Sequence, residues 1–206
     1  MEPCVQDEQH PHLGGNIDGG DSFTFCPGGW KYLVDEVVAK VAGQTIVTDI
    51  GCGQGHALKW FQDHGCCVQG VEGLQSNVDK ANELLNANDV AAGRLPIDPV
   101  ECHDIQNGPT SIRPADLVWC CELVEHIEEK YIDNLLPLLI APVLAMTHAE
   151  VGQDGHHHVN CQPAEYWVER LASVGMVYDM HLTPFVKMKD KHNNHFQWHG
   201  LMFRKG

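Results

Sequence analysis

The stretch VTDIGCGQG, residues 47–55, constrains this chain more than any other. A β-branched run carries an acid, Asp49, and is followed at once by Gly51, Gly53 and Gly55. Alternating glycines directly after a strand let the backbone turn sharply and let a ligand approach the main chain closely. If a helix follows, the free N–H groups of its first turn face the same space. The stretch therefore predicts a strand-to-helix turn built around something bound.

The rest of the chain repeats that unit. Apolar positions Leu33, Val34, Val37, Val38 and Val41 predict a one-faced helix from Trp30, with Gly43 past its end. Strands are expected at 45–50, 67–72, 100–105, 115–121 and 143–147. Helices are expected at 55–64, at 77–86 with Ser76 as cap, from about 122 to 140 with Pro137 perturbing the last turn, and from Pro163 to Ser173. Segments 177–183 and 195–204 read as a closing antiparallel pair. The run ADLVWCC at 115–121 is apolar throughout, as a strand buried on both faces should be. Alternation of this kind predicts an α/β fold, a mainly parallel sheet with helices on both faces. Residues 1–25, rich in Gly, Asp and His, read as an irregular arm, and residues 26–206 as one domain.

Composition narrows the function. The formal charge is −15, which opposes binding of long nucleic acid, since that needs Lys and Arg to displace counterions. The tail from Lys187 to Lys205 is locally basic, and a solvated tail is the plainer reading of it. No apolar run approaches the ~20 residues of a membrane span, and the first residues, MEPCVQDEQHPH, lack the pattern of a signal peptide. Nine cysteines without a C-x-x-C pair predict reduced thiols and a cytoplasmic setting.

In open parallel sheets, ligands sit beyond the carboxyl ends of the strands. Glu72 closes the second strand in VQGVEG, where a carboxylate can accept hydrogen bonds from both hydroxyls of a ribose. Asp104, after the third strand, is placed to reach an adenine amino group. A dinucleotide site wants G-x-G-x-x-G, whereas the spacing here is G-x-G-x-G with His56 following. The pattern suits an adenosine with a short charged tail, S-adenosylmethionine.

DIGCGQG, then VEG, HDI and DLVWCCELVEH, resemble the class I S-adenosylmethionine-dependent methyltransferases, over about Thr24 to Phe203. TFCPGGWKYL, GHALKWF, MTHA and HHHVNCQPAEYW are similar to small bacterial and bacteriophage members whose acceptors are mostly unassigned. The resemblance implies a Rossmann-like sheet of seven strands with the last antiparallel. It implies cofactor contacts from Gly51, Cys52, Gly53 and Gly55, from Glu72 and Gly73 to ribose, from Asp104 and Ile105 to adenine, and from Cys120 and Cys121 to the methionine end. Asp49 in that family orders the loop and the ammonium group.

Methyl transfer needs an acceptor held in line with an activated methyl group and a place for the acceptor's proton. Trp30 or Trp119 could face the sulfonium, with core packing as the other reading of both. His148, at the end of the fifth strand, is a candidate general base. Glu122, Glu125 and His126 form E-x-x-E-H; on a helix Glu122 and His126 would share a face. With His158 from HHHVN they are a candidate Mg²⁺ or Mn²⁺ set. That arrangement resembles metal-assisted 2′-O-methyltransferases of small RNA and certain quinone-pathway O-methyltransferases; in other members E-x-x-E-H braces the fold without metal. The expected activity is O-methylation of a small molecule, a glycan sugar or a nucleotide end. The alternatives are metal-assisted 2′-O-methylation of RNA ends and a non-catalytic S-adenosylmethionine-binding module.

Overall fold

The computed structural model describes residues 12–13, 26–38, 44–91, 99–189 and 194–206. Most of the expected N-terminal arm, together with Val41, Gly43 and Lys191, lies outside them.

Strands β1 (Ile46–Ile50), β2 (Cys67–Glu72), β3 (Val100–Cys102), β4 (Leu117–Cys120), β5 (Val143–Met146), β6 (Met176–Tyr178) and β7 (Leu201–Lys205) form one seven-stranded sheet in the order β3-β2-β1-β4-β5-β7-β6. β1 to β5 pair in parallel, and β7 runs antiparallel to both of its neighbours. This is the expected Rossmann-like sheet. Strand order reverses between β1 and β4, so the space beyond their carboxyl ends is the natural ligand crevice.

Side-chain alternation along the strands divides the interior into two cores. Leu117 and Trp119 of β4 point into one; Val118 and Cys120 point into the other. The first core is closed by α1 (Pro27–Tyr32), α2 (His56–Asp63) and α3 (Gln75–Ala91), and by α6 (Leu182–Lys189) and α7 (His195–His199). The second is closed by α4 (Ile132–Leu135) and by α5 (Ala164–Ala172), through Trp167 and Leu171. Helices thus cover both faces, and no helix among the described residues is long and apolar enough to cross a membrane.

Three stretches depart from expectation, each for a local reason. The helix expected from Trp30 begins at Pro27, whose fixed φ suits a first turn, and widens into a π-helical turn over Leu33–Val37. The helix expected over 122–140 is a run of short turns at Val124–His126, Glu129–Tyr131 and Leu136–Leu139 around α4. The Glu125 carbonyl accepts from Val159 N and Asn160 N, both at 3.0 Å, so a distant loop takes the group a regular helix would use. Glu122 itself has φ +55° and lies outside any helix, so the expected shared face with His126 does not form.

The closing pair is shorter than expected because its flanks are capped into helices. Asp179 Oδ1 accepts from His181 N and Leu182 N at 3.1 and 2.8 Å and starts α6. Asn194 Oδ1 accepts from Gln197 N at 2.9 Å and starts α7. α7 carries Phe196, which stacks on Trp119 at 5.1 Å between ring centroids and is fully buried. Phe196→Ala is expected to lower unfolding free energy by about 3–5 kcal/mol, measured by urea denaturation; a change below ~1 kcal/mol would show that α7 is only loosely docked.

Candidate active site

A cavity of about 340 Å³ opens at the carboxyl ends of β1, β2, β3 and β4. Its floor is the loop after β1. Gly51, Gly53 and Gly55 all have positive φ, of 76°, 53° and 80°. A Cβ on Gly51 would stand 2.8 Å from Leu123 and one on Gly55 2.9 Å from Ala81, so both positions need the missing side chain as well as the missing strain. Gly51 N and Cys52 N donate to Val71 O at 2.8 and 3.2 Å, which ties the loop to β2.

Glu72 completes that tie. Its Oε2 accepts from Gly53 N and its Oε1 from Leu74 N, each at 2.9 Å. Glu72 also lines the cavity. Burial raises the Glu72 carboxyl above the usual range, and its bonds to Leu74, Gly53, Asn77 and Gly73 hold it down in part. Across the loop, Asp49 is pushed up to about 8 by burial and then by the charge of Glu72. Asp104 Oδ1 accepts from Gln106 N at 2.9 Å, and its Oδ2 lies 3.0 Å from His12 Nε2. Ile105 is buried beside it, and Gly73 lies on the same wall.

Trp30 and Trp119 also line the cavity. They meet edge to face at 5.5 Å, so both are core residues with one side turned to the site. Cys121 lines it too, whereas Cys120 is sealed in β4. Among the described residues no Lys or Arg lines the cavity, while Asp49, Glu72, Asp104, Glu122 and Asp154 do.

The far wall is made of imidazoles: His126, His156, His158 and His195. Glu125, His126 and His158 offer ligand atoms that all lie within 4.8 Å of one another. Glu125 is fully buried and neither of its carboxylate oxygens meets a hydrogen-bond donor. Burial, and then the neighbouring Glu122 charge, push it well above the ordinary carboxylate range. His126 is pushed down to about 4, by burial first and by His158 next, so its ring is neutral at physiological pH.

Glu122 is not in that cluster. The Thr147 hydroxyl donates to Glu122 Oε1 at 2.8 Å, and Oε2 lies 3.4 Å from His195 Nδ1. His148 is not on the cavity wall: it is buried behind it, with Nδ1 3.0 Å from Gln162 O and its ring 5.9 Å from His199. The reason is alternation past β5, which turns Thr147 toward Glu122 and His148 the other way. His195, His12 and Leu13 are among the wall residues that sequence reading missed. Asn194 as a helix cap was the available signal for the first; nothing local marks the other two.

Residues 47–141 match the family model described as a methyltransferase domain. Over those residues the chain is similar to methyltransferase domains. Its similarity to the ubiquinone biosynthesis O-methyltransferase of Coxiella burnetii is 29% identity over 111 residues, 53% of this chain and 44% of that protein. The match thus spans less than half of that relative's length. A TehB-like SAM-dependent methyltransferase from Corynebacterium glutamicum superposes on this chain with a TM-score of 0.58 at 14% identity, covering 86% of this chain and 94% of that one. The magnesium protoporphyrin IX methyltransferase of Synechocystis with bound SAH superposes with a TM-score of 0.57 at 14% identity, covering 95% and 90%. At such identities the two superpositions establish the fold.

The buried acid at the floor of the cavity has a measurable signature. Asp49 ionises near 3.8 when unfolded and near 8 when folded, so the folded state holds the extra proton between those values. Its contribution to stability is therefore full below the unfolded value and is lost as pH rises toward 8. Asp49→Asn, which mimics the protonated form, is expected to gain on the native chain across that window, by more than about 1 kcal/mol at pH 7. Chemical denaturation at pH 4.5 and 7.5 reads the difference; a constant offset would show that Asp49 is already charged.

Proposed function

We propose that this chain transfers the methyl group of S-adenosylmethionine to an oxygen of a small molecule. The observation that carries the reading is the acidic character of the cavity: buried acids around a glycine turn, and no Lys or Arg among the described residues of its wall. A dinucleotide would bring a pyrophosphate into that field. A sulfonium with an ammonium group brings the opposite charge and relieves it. Glu72 takes the ribose hydroxyls, the loop from Gly51 to Gly55 and Asp49 receive the methionine end, and Asp104 with Ile105 holds adenine. Trp30 offers a ring to the sulfonium side.

The acceptor lies against the imidazole wall. Glu125, His126 and His158 fit a divalent cation: a buried carboxylate without donors, beside a neutral imidazole, is a donor set that lacks its positive partner. Bound Mg²⁺ or Mn²⁺ would polarise an acceptor oxygen and lower the pKa of its hydroxyl. His195, backed by Glu122, holds the released proton, a role that buried His148 is not positioned to fill. The relatives named as ubiquinone biosynthesis O-methyltransferases support oxygen as the acceptor atom. Residues 26–206 act as one catalytic unit.

Calorimetry tests the cofactor: S-adenosylmethionine and S-adenosylhomocysteine should bind at micromolar levels, ~−8 kcal/mol, and NAD should give no heat. Glu72→Ala should weaken that binding by about 100-fold or more, and unchanged affinity would refute the ribose assignment. For the acceptor end, Mn²⁺ titrated into the protein should bind, and Glu125→Gln should abolish it. Transfer of labelled methyl to vicinal diphenols and sugars should stop in EDTA and return with Mg²⁺ or Mn²⁺. Turnover at an equal rate in chelator would remove the cation from the account.

A further inference from the structure

We propose that Leu13, held in place by His12, supplies the apolar cover of the adenine subsite, standing where Gly73 has no side chain. This rests on the cofactor reading above and extends the site to a segment far from it in sequence. Gly73 follows the ribose carboxylate directly, and the adenine slot it would flank opens between the ends of β2 and β3. A Cβ built on Gly73 would stand 2.5 Å from Leu13 Cδ2, with Leu13 Cγ at 3.7 Å and Asp104 Cα at 3.8 Å next. The leucine side chain therefore fills the space that any larger residue at 73 would claim.

Three further observations place this segment in the site. Leu13 and His12 both line the cavity, with Glu72, Gly73, Asp104 and Ile105. His12 Nε2 lies 3.0 Å from Asp104 Oδ2, and both side chains are only 13% exposed. The His12 ring also stands 6.1 Å from that of His157, so the segment reaches from the β2–β3 rim to the histidine loop opposite.

The chemistry is complementary. An adenine ring has two apolar faces and a polar edge. Ile105 offers apolar surface from the β3 side, and a glycine on the β2 side offers none; Leu13 makes up the deficit. Asp104 is held at Oδ1 by Gln106 N and at Oδ2 by His12, which fixes the carboxylate while leaving lone pairs for the exocyclic amine. Leu13 belongs to neither apolar core, so its methyl groups serve the cavity rather than the fold.

The test is calorimetric titration of the full chain with S-adenosylhomocysteine and, separately, 5′-methylthioadenosine. Leu13→Ala should weaken both by about tenfold, because the lost apolar cover is at the end the two probes share. Gly73→Leu alone should also weaken both, since its side chain collides with Leu13. The pair Leu13→Ala with Gly73→Leu should recover affinity to within about threefold of the native chain, as the new leucine takes over the vacated place. Leu13→Ala with unchanged affinity overturns the inference, whatever the fate of Gly73→Leu. So does a double variant that binds no better than Gly73→Leu alone. A native chain that binds neither probe sinks the cofactor reading itself, and this extension with it; a native chain that binds with indifferent variants sinks the extension alone.

Discussion

The structure turns on one carboxylate. Glu72 sits at the last residue of β2 and takes the N–H groups of Gly53 and Leu74 on its two oxygens. It thereby fixes the glycine loop to the tip of the neighbouring strand and starts the turn into α3. The loop needs an external partner, because its positive-φ glycines give it no conformational preference of its own. A side chain with two acceptor oxygens at a strand end can brace two main-chain segments and still line the cavity. Several hydrogen bonds are thus invested in one group, which is why it tolerates burial at all.

That investment has an electrostatic consequence. Asp49, Glu72 and Glu125 are buried acids whose protonation is favoured by burial; the first two line the cavity and Glu125 adjoins its histidines, in a chain of formal charge −15. A field of one sign selects its guests. The proposed cofactor carries positive charge at one end of the cavity, and the proposed cation would carry it at the other, each answering acids the fold leaves uncompensated. His126 fits the same scheme, since an imidazole kept neutral by burial is an acceptor rather than a competing cation.

Much of this was readable from residue order. The alternation of β-branched runs with amphipathic stretches fixed a parallel sheet, and the glycines at 51, 53 and 55 marked its ligand turn, because strand, turn and helix signals there all act within a few residues. Glu72, Asp104, His126 and His158 reached the cavity as expected. The failures lie where distant groups outvote local ones. The segment after β4 should have been a helix, but Val159 and Asn160 draw off the Glu125 carbonyl and leave Glu122 in a strained turn facing Thr147 and His195. His148 was misplaced by one step of strand alternation, which reverses a side chain entirely.

By itself, then, the sequence determined the layered fold, the position of the ligand crevice and the acids that surround it, since these follow from periodicity, glycine placement and strand ends. Tertiary structure alone decided which histidines face the cavity, which carboxylate stands without donors, and that Leu13 fills the place beside Gly73. Those are meetings between residues tens of positions apart, and short-range patterning carries no term for them.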